Sequence, residues 1–230
     1  LATTVHSDTE RLAAQVELLL LRNGVLTRES LGVGDVPGGF ATLYPVLRAM
    51  EEAGRIRRGY FVAGLGGLQF AHPGALERLR ILREAPVERA QAVVLAAADP
   101  ANAFGAALPW PREEGPKPMR VPGAHVALVD GRLSAFLGRD EAEMRSFLPE
   151  TEPERSRVAR SLAEGLAQWL EGRGRTQLGW ASGGSHLADD PLALHLLASG
   201  FEPSGPGFRL AKKRADPERR SVGHESIGHD

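Results

Sequence analysis

Arg55-Ile56-Arg57-Arg58-Gly59-Tyr60 is the run whose residue types point most directly to a chemistry. A guanidinium matches two N–H groups to two phosphate oxygens and keeps its charge at any relevant pH. A tyrosine ring beside it offers a face on which a nucleobase can stack. Gln69, nine residues on from Tyr60, carries an amide that both donates and accepts, as contact with a base edge or a sugar requires. Arg55, Arg57, Arg58, Tyr60 and Gln69 are therefore the candidate nucleic-acid-binding residues. A plainer reading stands beside this one. Glu51 and Glu52 are close enough in sequence to neutralise the arginines, leaving a solvated strand face or a surface for another protein module.

Other chemistries find less support. The chain has no cysteine, which excludes disulfides, thiolate nucleophiles and Cys-based zinc sites. There is no G-x-x-x-x-G-K-[ST] and no H-E-x-x-H, so neither a nucleotide triphosphate nor a catalytic zinc is expected as a cofactor of this chain. His186 and His195 flank Asp189 and Asp190, but at a spacing that matches no standard ligand motif, and no metal site is expected. Asp190 suits a helix N-cap and Asp130 a turn, so neither is nominated as a catalytic acid, and no catalytic residue is assigned. A net charge of −1 rules out a wholly basic wrapper and leaves nucleic-acid contact to a local patch. No apolar run approaches the roughly 18 residues that would cross a membrane, and no signal-peptide pattern opens the chain, so a cytoplasmic protein is expected. The first residue is Leu1, which fits a piece of a longer parent.

The elements that must position the arginine run read as helix, helix, helix, hairpin. Ser7 and Glu10 form a capping-box pair, and Leu12, Val16, Leu19 and Leu20 recur with helical period up to Asn23-Gly24. Thr27 is placed to cap a short second helix through Leu31. Leu43, Val46, Leu47 and Met50 make one buried stripe of a third helix. Pro45 favours a start for that helix near Thr42, because a start at Gly39 would put the proline in the interior. Two strands, 55–62 and 68–71, follow around a glycine-rich connection, and 73–83 is a further short helix. This order is that of a winged helix-turn-helix. The expected division is a winged-helix domain over 1–85, an α+β domain over 86–210 and a charged tail, expected to be disordered, over 211–230.

In the second domain, 93–98 is a compact apolar strand, followed by a proline-rich loop that contains Trp110. His125–Val129 and Arg132–Leu137 flank Asp130-Gly131, a strong signal for a two-residue hairpin turn. A strand over 143–148, a helix over 152–171, a strand over 176–180, a helix over 191–199 capped by Asp190, and a strand over 208–210 complete the pattern.

Several strings resemble the region C-terminal to the motor in large helicase-related (Lhr) proteins, a family of superfamily 2 ATP-dependent DNA helicases. They include Asn23-Gly24-Val25-Leu26-Thr27-Arg28-Glu29, Tyr44-Pro45-Val46-Leu47-Arg48, Glu52 through Phe61, and Gly64 through Ala71. Leu108-Pro109-Trp110-Pro111, Leu128-Val129-Asp130-Gly131 and Ala198-Ser199-Gly200-Phe201 continue the likeness. The resemblance implies an α+β fold in which a winged helix is followed by a mixed, β-barrel-like domain. It implies DNA, single- or double-stranded, and the remaining domains of the parent helicase as partners, with homo-oligomer formation. ATP and Mg²⁺ would belong to the parent's motor. The implied function is that of a DNA-binding and assembly module of a DNA-repair helicase. The alternatives are a uracil-DNA glycosylase-type module or a pure oligomerisation scaffold. No family carboxylate matches a position here, so the resemblance assigns no catalytic residue.

Overall fold

The computed structural model describes residues 7–32, 35–84, 90–112, 117–139, 143–180 and 190–211. The chain opens with α1 (Asp8–Asn23), whose capping box is complete: the Ser7 hydroxyl accepts from the Glu10 amide and the Glu10 carboxylate from the Ser7 amide. Gly24 closes it at φ 70°, a left-handed position that glycine adopts without steric cost. Next come β1 (Val25–Leu26), α2 (Phe40–Glu52), β2 (Arg57–Gly59), β3 (Gln69–Ala71) and α3 (Pro73–Glu84). The three strands pair antiparallel in the order β1-β3-β2. Their apolar residues close with α1 and α2 over a core of Val16, Leu19, Leu20, Leu26, Leu43, Val46, Leu47, Met50, Ile56 and Phe70. The stripe expected from the sequence is thus the buried face of α2.

Three details of this part depart from expectation. Thr27–Leu31 is a turn and not a helix. Thr27 and Ser30 cap one another reciprocally, each hydroxyl accepting from the other's amide at 2.9–3.1 Å. Local side-chain bonds of this kind compete with helix propagation. Second, α2 starts at Phe40 and has Pro45 in its interior. The proline forgoes a bond to the Ala41 carbonyl, but Pro45 and Ala41 are both exposed, so water can satisfy that oxygen. Third, the short strand β1 pairs with β3 where no strand was expected. The turn ahead of α2 is fastened to α1 through Asp35. Its carbonyl accepts from the Gln15 side chain at 2.6 Å and its carboxylate from Arg22 at 2.6 Å and the Gly32 amide at 2.8 Å. The Arg22 hydrogen bond, seconded by Gly32, holds the Asp35 carboxyl below the usual carboxylate range.

The second part contains β4 (Ala92–Ala96), β5 (His125–Val129), β6 (Arg132–Leu137), β7 (Met144–Ser146), α4 (Glu154–Gly172), β8 (Gln177–Gly179), α5 (Ala193–Ala198), β9 (Phe201–Ser204) and β10 (Gly207–Leu210). Strands β4-β5-β6-β7 form one antiparallel sheet in sequence order, and β8-β10-β9 a smaller one. Asp130 and Gly131 both have positive φ, 49° and 78°, which is the two-residue type I′ turn expected. The inward stripe of α4, Val158, Leu162, Leu166 and Leu170, shares a core with Ala127, Val129, Ala135 and Leu137 of the larger sheet and with Phe201, Phe208 and Leu210 of the smaller one. At Gly165 the approach to β4 is so close that an added Cβ would lie 2.4 Å from that of Ala92. The opposite face of the larger sheet carries a third cluster of Ala97, Ala124, Val126 and Leu133, against which Trp110 and Phe136 pack edge to face at 5.8 Å.

The β-barrel-like expectation is corrected here. Both sheets are open: β4 and β7 do not pair with each other, and a four-stranded antiparallel sheet covered by one helix has no closing ladder. The second part is α+β with open sheets. The expected linker beyond Glu84 and the charged tail lie outside the described residues, apart from Ala211, as do His186 and Asp189. Among the described residues no helix is long and apolar enough to cross a membrane.

Candidate nucleic-acid interface

The arginine run leaves α2 and enters the first strand of the wing, but the structure does not gather its three guanidinium groups. Arg55 turns back onto α1 and bonds the Glu17 carboxylate. It borders a groove of about 320 Å³ that is otherwise lined chiefly by Leu20, Leu21, Met50, Ile56 and His72. Arg58 pairs with Glu51 at the end of α2, Nε to Oε1 at 3.1 Å. Arg57 alone of the three is exposed without an ion pair to a described residue. The neutralisation by neighbouring carboxylates foreseen for the whole run therefore applies to Arg58 through Glu51. Arg55 is tied to a different carboxylate, one from α1, which sequence proximity could not indicate.

Tyr60 follows directly on β2 and is 86% exposed. The backbone that follows it is hydrogen-bonded to Gln69, whose expected role is corrected by its position. Gln69 is completely buried. Its Oε1 accepts from the amides of Phe61 and Val62 at 2.7 and 2.8 Å, and its Nε2 donates to the carbonyls of Val62 and Leu65 at 3.1 and 3.0 Å. Both lone-pair directions of the oxygen and both protons of the nitrogen are thus in use, so the amide cannot address a base edge or a sugar. Gln69 is the strut over which the wing folds. The ring of Phe61 completes the clamp by lying over Gly59, where an added Cβ would stand 2.8 Å from Cζ. At the tip, Gly64 and Gly67 take φ of 80° and 77°, with no atom within 4 Å of an added Cβ.

The exposed face of α2 consists of Ala41, Pro45, Arg48, Ala49 and Glu52. Arg48 donates to Glu52 at 2.9 Å, one turn along the same face. The i, i+4 spacing of Ala41, Pro45 and Ala49 is the sequence signal for this outer face, as the apolar stripe is for the buried one.

Elsewhere, no group of three or more His, Asp or Glu side chains among the described residues could hold a metal ion. Asp190 is half-buried, and that burial pushes its carboxyl up; its Oδ1 accepts from the Leu192 amide at 2.8 Å. It thus caps the turn leading into α5, three residues ahead of the regular helix, whose own N-cap is Leu192. Asp130 ties three elements together: its carboxylate accepts from the Gln91 amide at 3.1 Å and from Arg157 of α4 at 2.7 Å.

An α-helix, a short strand, a second helix and a two-stranded wing, closed over one core, define this class of protein as a winged-helix module joined to an α+β domain. Residues 5–91 match the family model for the winged-helix domain of large helicase-related protein. The chain is 53% identical over 153 residues to a Mycolicibacterium smegmatis protein named Lhr helicase/probable uracil glycosylase, a match covering 65% of this chain and 10% of that one. It is 40% identical over 141 residues to an Escherichia coli protein named Lhr helicase/uracil glycosylase, covering 60% and 9%. By these matches the chain is similar to Lhr proteins, and residues 5–91 to their winged-helix domain. The aligned stretch spans about a tenth of the length of these curated relatives.

Proposed function

We propose that this chain is the DNA-binding and assembly module of an ATP-dependent Lhr helicase acting in cytoplasmic DNA repair, with ATP and Mg²⁺ held by the parent's motor. The α+β part then serves to dock on the remaining domains of the parent or on another copy in a homo-oligomer. The observation that carries the DNA contact is Arg57: an exposed guanidinium with no ion pair among the described residues, at the base of a wing and three residues before an exposed tyrosine. A cation in that position neutralises a phosphate and releases the counterions held there. It orients the module on DNA without reading sequence. Arg58 and Arg55 would contribute less, since each must first give up a carboxylate partner.

Titration of labelled DNA at several salt concentrations tests this. Arg57→Ala is expected to weaken binding about equally across sequences and to flatten the log affinity–log salt slope by about 0.9 on duplex. Unchanged affinity and slope in the folded variant would remove the wing from the interface. The names of both relatives favour a second reading, a glycosylase-type module. Excision of uracil from DNA by the purified chain, seen as alkali-labile sites, would establish it.

A further inference from the structure

Resting on that DNA-binding reading, we infer that Tyr60 is a stacking platform for an unpaired base, so that the module takes DNA carrying unpaired nucleotides and ignores their sequence. Three observations converge on it. The first concerns what α2 lacks. A helix that reads the major groove does so with free donors and acceptors at its surface. The outer face of α2 offers Ala41, Pro45 and Ala49, which have none, and the charges of Arg48 and Glu52 are satisfied against each other. Such a helix can lie against a backbone but has little with which to distinguish bases.

The second concerns Tyr60. Its ring is 86% exposed on a chain where the other aromatic side chains of this domain, Phe40, Tyr44, Phe61 and Phe70, are buried or partly buried. The third is the support beneath it. The preceding residue, Gly59, lies under the Phe61 ring, and the following amide, that of Phe61, is bonded to the buried Gln69. The backbone on both sides of Tyr60 is therefore fixed, and the ring is displayed at little further cost in backbone entropy. A base inside a duplex has both faces covered by its neighbours. At a blunt end the outermost base remains paired and stacked on its neighbour, whereas an unpaired base is free to swing onto the ring, and since every base has a π-face the contact tolerates any sequence. Arg57, three residues back, would take a phosphate of the same strand.

The test uses the full chain and equally long, equally labelled probes: a blunt duplex, a forked duplex with unpaired arms, and the same fork with scrambled sequence. The wild type is expected to bind both forks alike and more tightly than the blunt duplex. Tyr60→Ala should weaken fork binding by about five- to a hundredfold, the range of one lost base stack, and leave the blunt duplex within about twofold. Tyr60→Phe should keep the preference, because the ring and not the hydroxyl is what stacks. Since Tyr60 is exposed, neither change threatens the core. Equal loss on fork and duplex, or no loss on the fork, overturns the inference. If Arg57→Ala still flattens the salt slope in that case, the DNA-binding reading survives without it. Absence of binding by the wild type to every probe overturns both.

Discussion

Replacing Gln69 with leucine removes a polar strut while keeping an apolar side chain of similar length. The four hydrogen bonds it makes, to Phe61, Val62 and Leu65, cannot be remade by leucine. A typical internal hydrogen bond contributes about 1 kcal/mol net, and an abandoned buried polar group costs about 1–3 kcal/mol. The wing residues lie near the surface, so water would recover part of that loss. A destabilisation of about 2–4 kcal/mol follows, a large fraction of the roughly 5–15 kcal/mol that holds a domain folded. Urea unfolding should register it, together with faster amide exchange at Phe61 and Val62. Gln69→Glu provides a control with a signature of its own. A carboxylate still accepts from the two amides but faces the carbonyls of Val62 and Leu65 with nothing to donate. Burial among carbonyls would raise its pKa, so this variant should regain stability as the pH is lowered and the proton returns. A loss below about 0.5 kcal/mol in Gln69→Leu, with exchange at Phe61 and Val62 unaltered, would refute the view that the strut holds the wing.

Two further outcomes are expected in the second part. Gly165→Ala should destabilise by about 1–3 kcal/mol despite the better helix propensity of alanine, since its Cβ would meet that of Ala92 at 2.4 Å; combining it with Ala92→Gly should recover part of the loss in thermal unfolding. Burial raises the Asp130 carboxyl, but bonds from Arg157 and Gln91 outweigh it and hold the group below its usual range. A depressed folded pKa contributes stability that is present above the unfolded value of about 3.9 and is lost as the pH falls through the folded one. Asp130→Asn, which tolerates the left-handed turn, should therefore cost about 1 kcal/mol at neutral pH and flatten the acid limb of a stability–pH curve; a curve parallel to the wild type would contradict the pairing.

The parts of the fold legible in the sequence are those specified by neighbours along the chain. The capping pair Ser7 and Glu10, the stripe Leu43-Val46-Leu47-Met50 and the Asp130-Gly131 turn each need only a few residues to declare themselves, and each is found where expected. The parts that were not legible depend on distant partners. Two residues, Val25 and Leu26, show no periodicity, and only Phe70 and Ala71 make them a strand. β9 contains Pro203, which argues against a strand until it is seen to lie at a sheet edge, paired on one side alone. Closure of a barrel is a property of long-range ladders, which alternating strands cannot specify by themselves. At the candidate interface the residue types were readable but the allocation was not. Whether an arginine is free or paired, and whether a glutamine faces outward or inward, is decided by where α1, α2 and the wing bring their side chains.

The two principal cores differ in when their parts become available. Every described side chain of the first lies between Leu12 and Phe70. The second joins Ala90 and Ala92 to Phe208 and Leu210, the two ends of its stretch. In a protein made from its N-terminus, the winged helix has its whole interior in hand once Ala71 has been added, and domains generally fold as units during synthesis. The α+β part must wait, with the apolar stripe of α4 and the inner face of its sheet incompletely covered, until β10 is complete. A nascent chain halted before Leu210 would thus carry a finished winged helix followed by an unfinished, sticky remainder, and it is this later stretch whose folding is most open to capture by a chaperone or to aggregation.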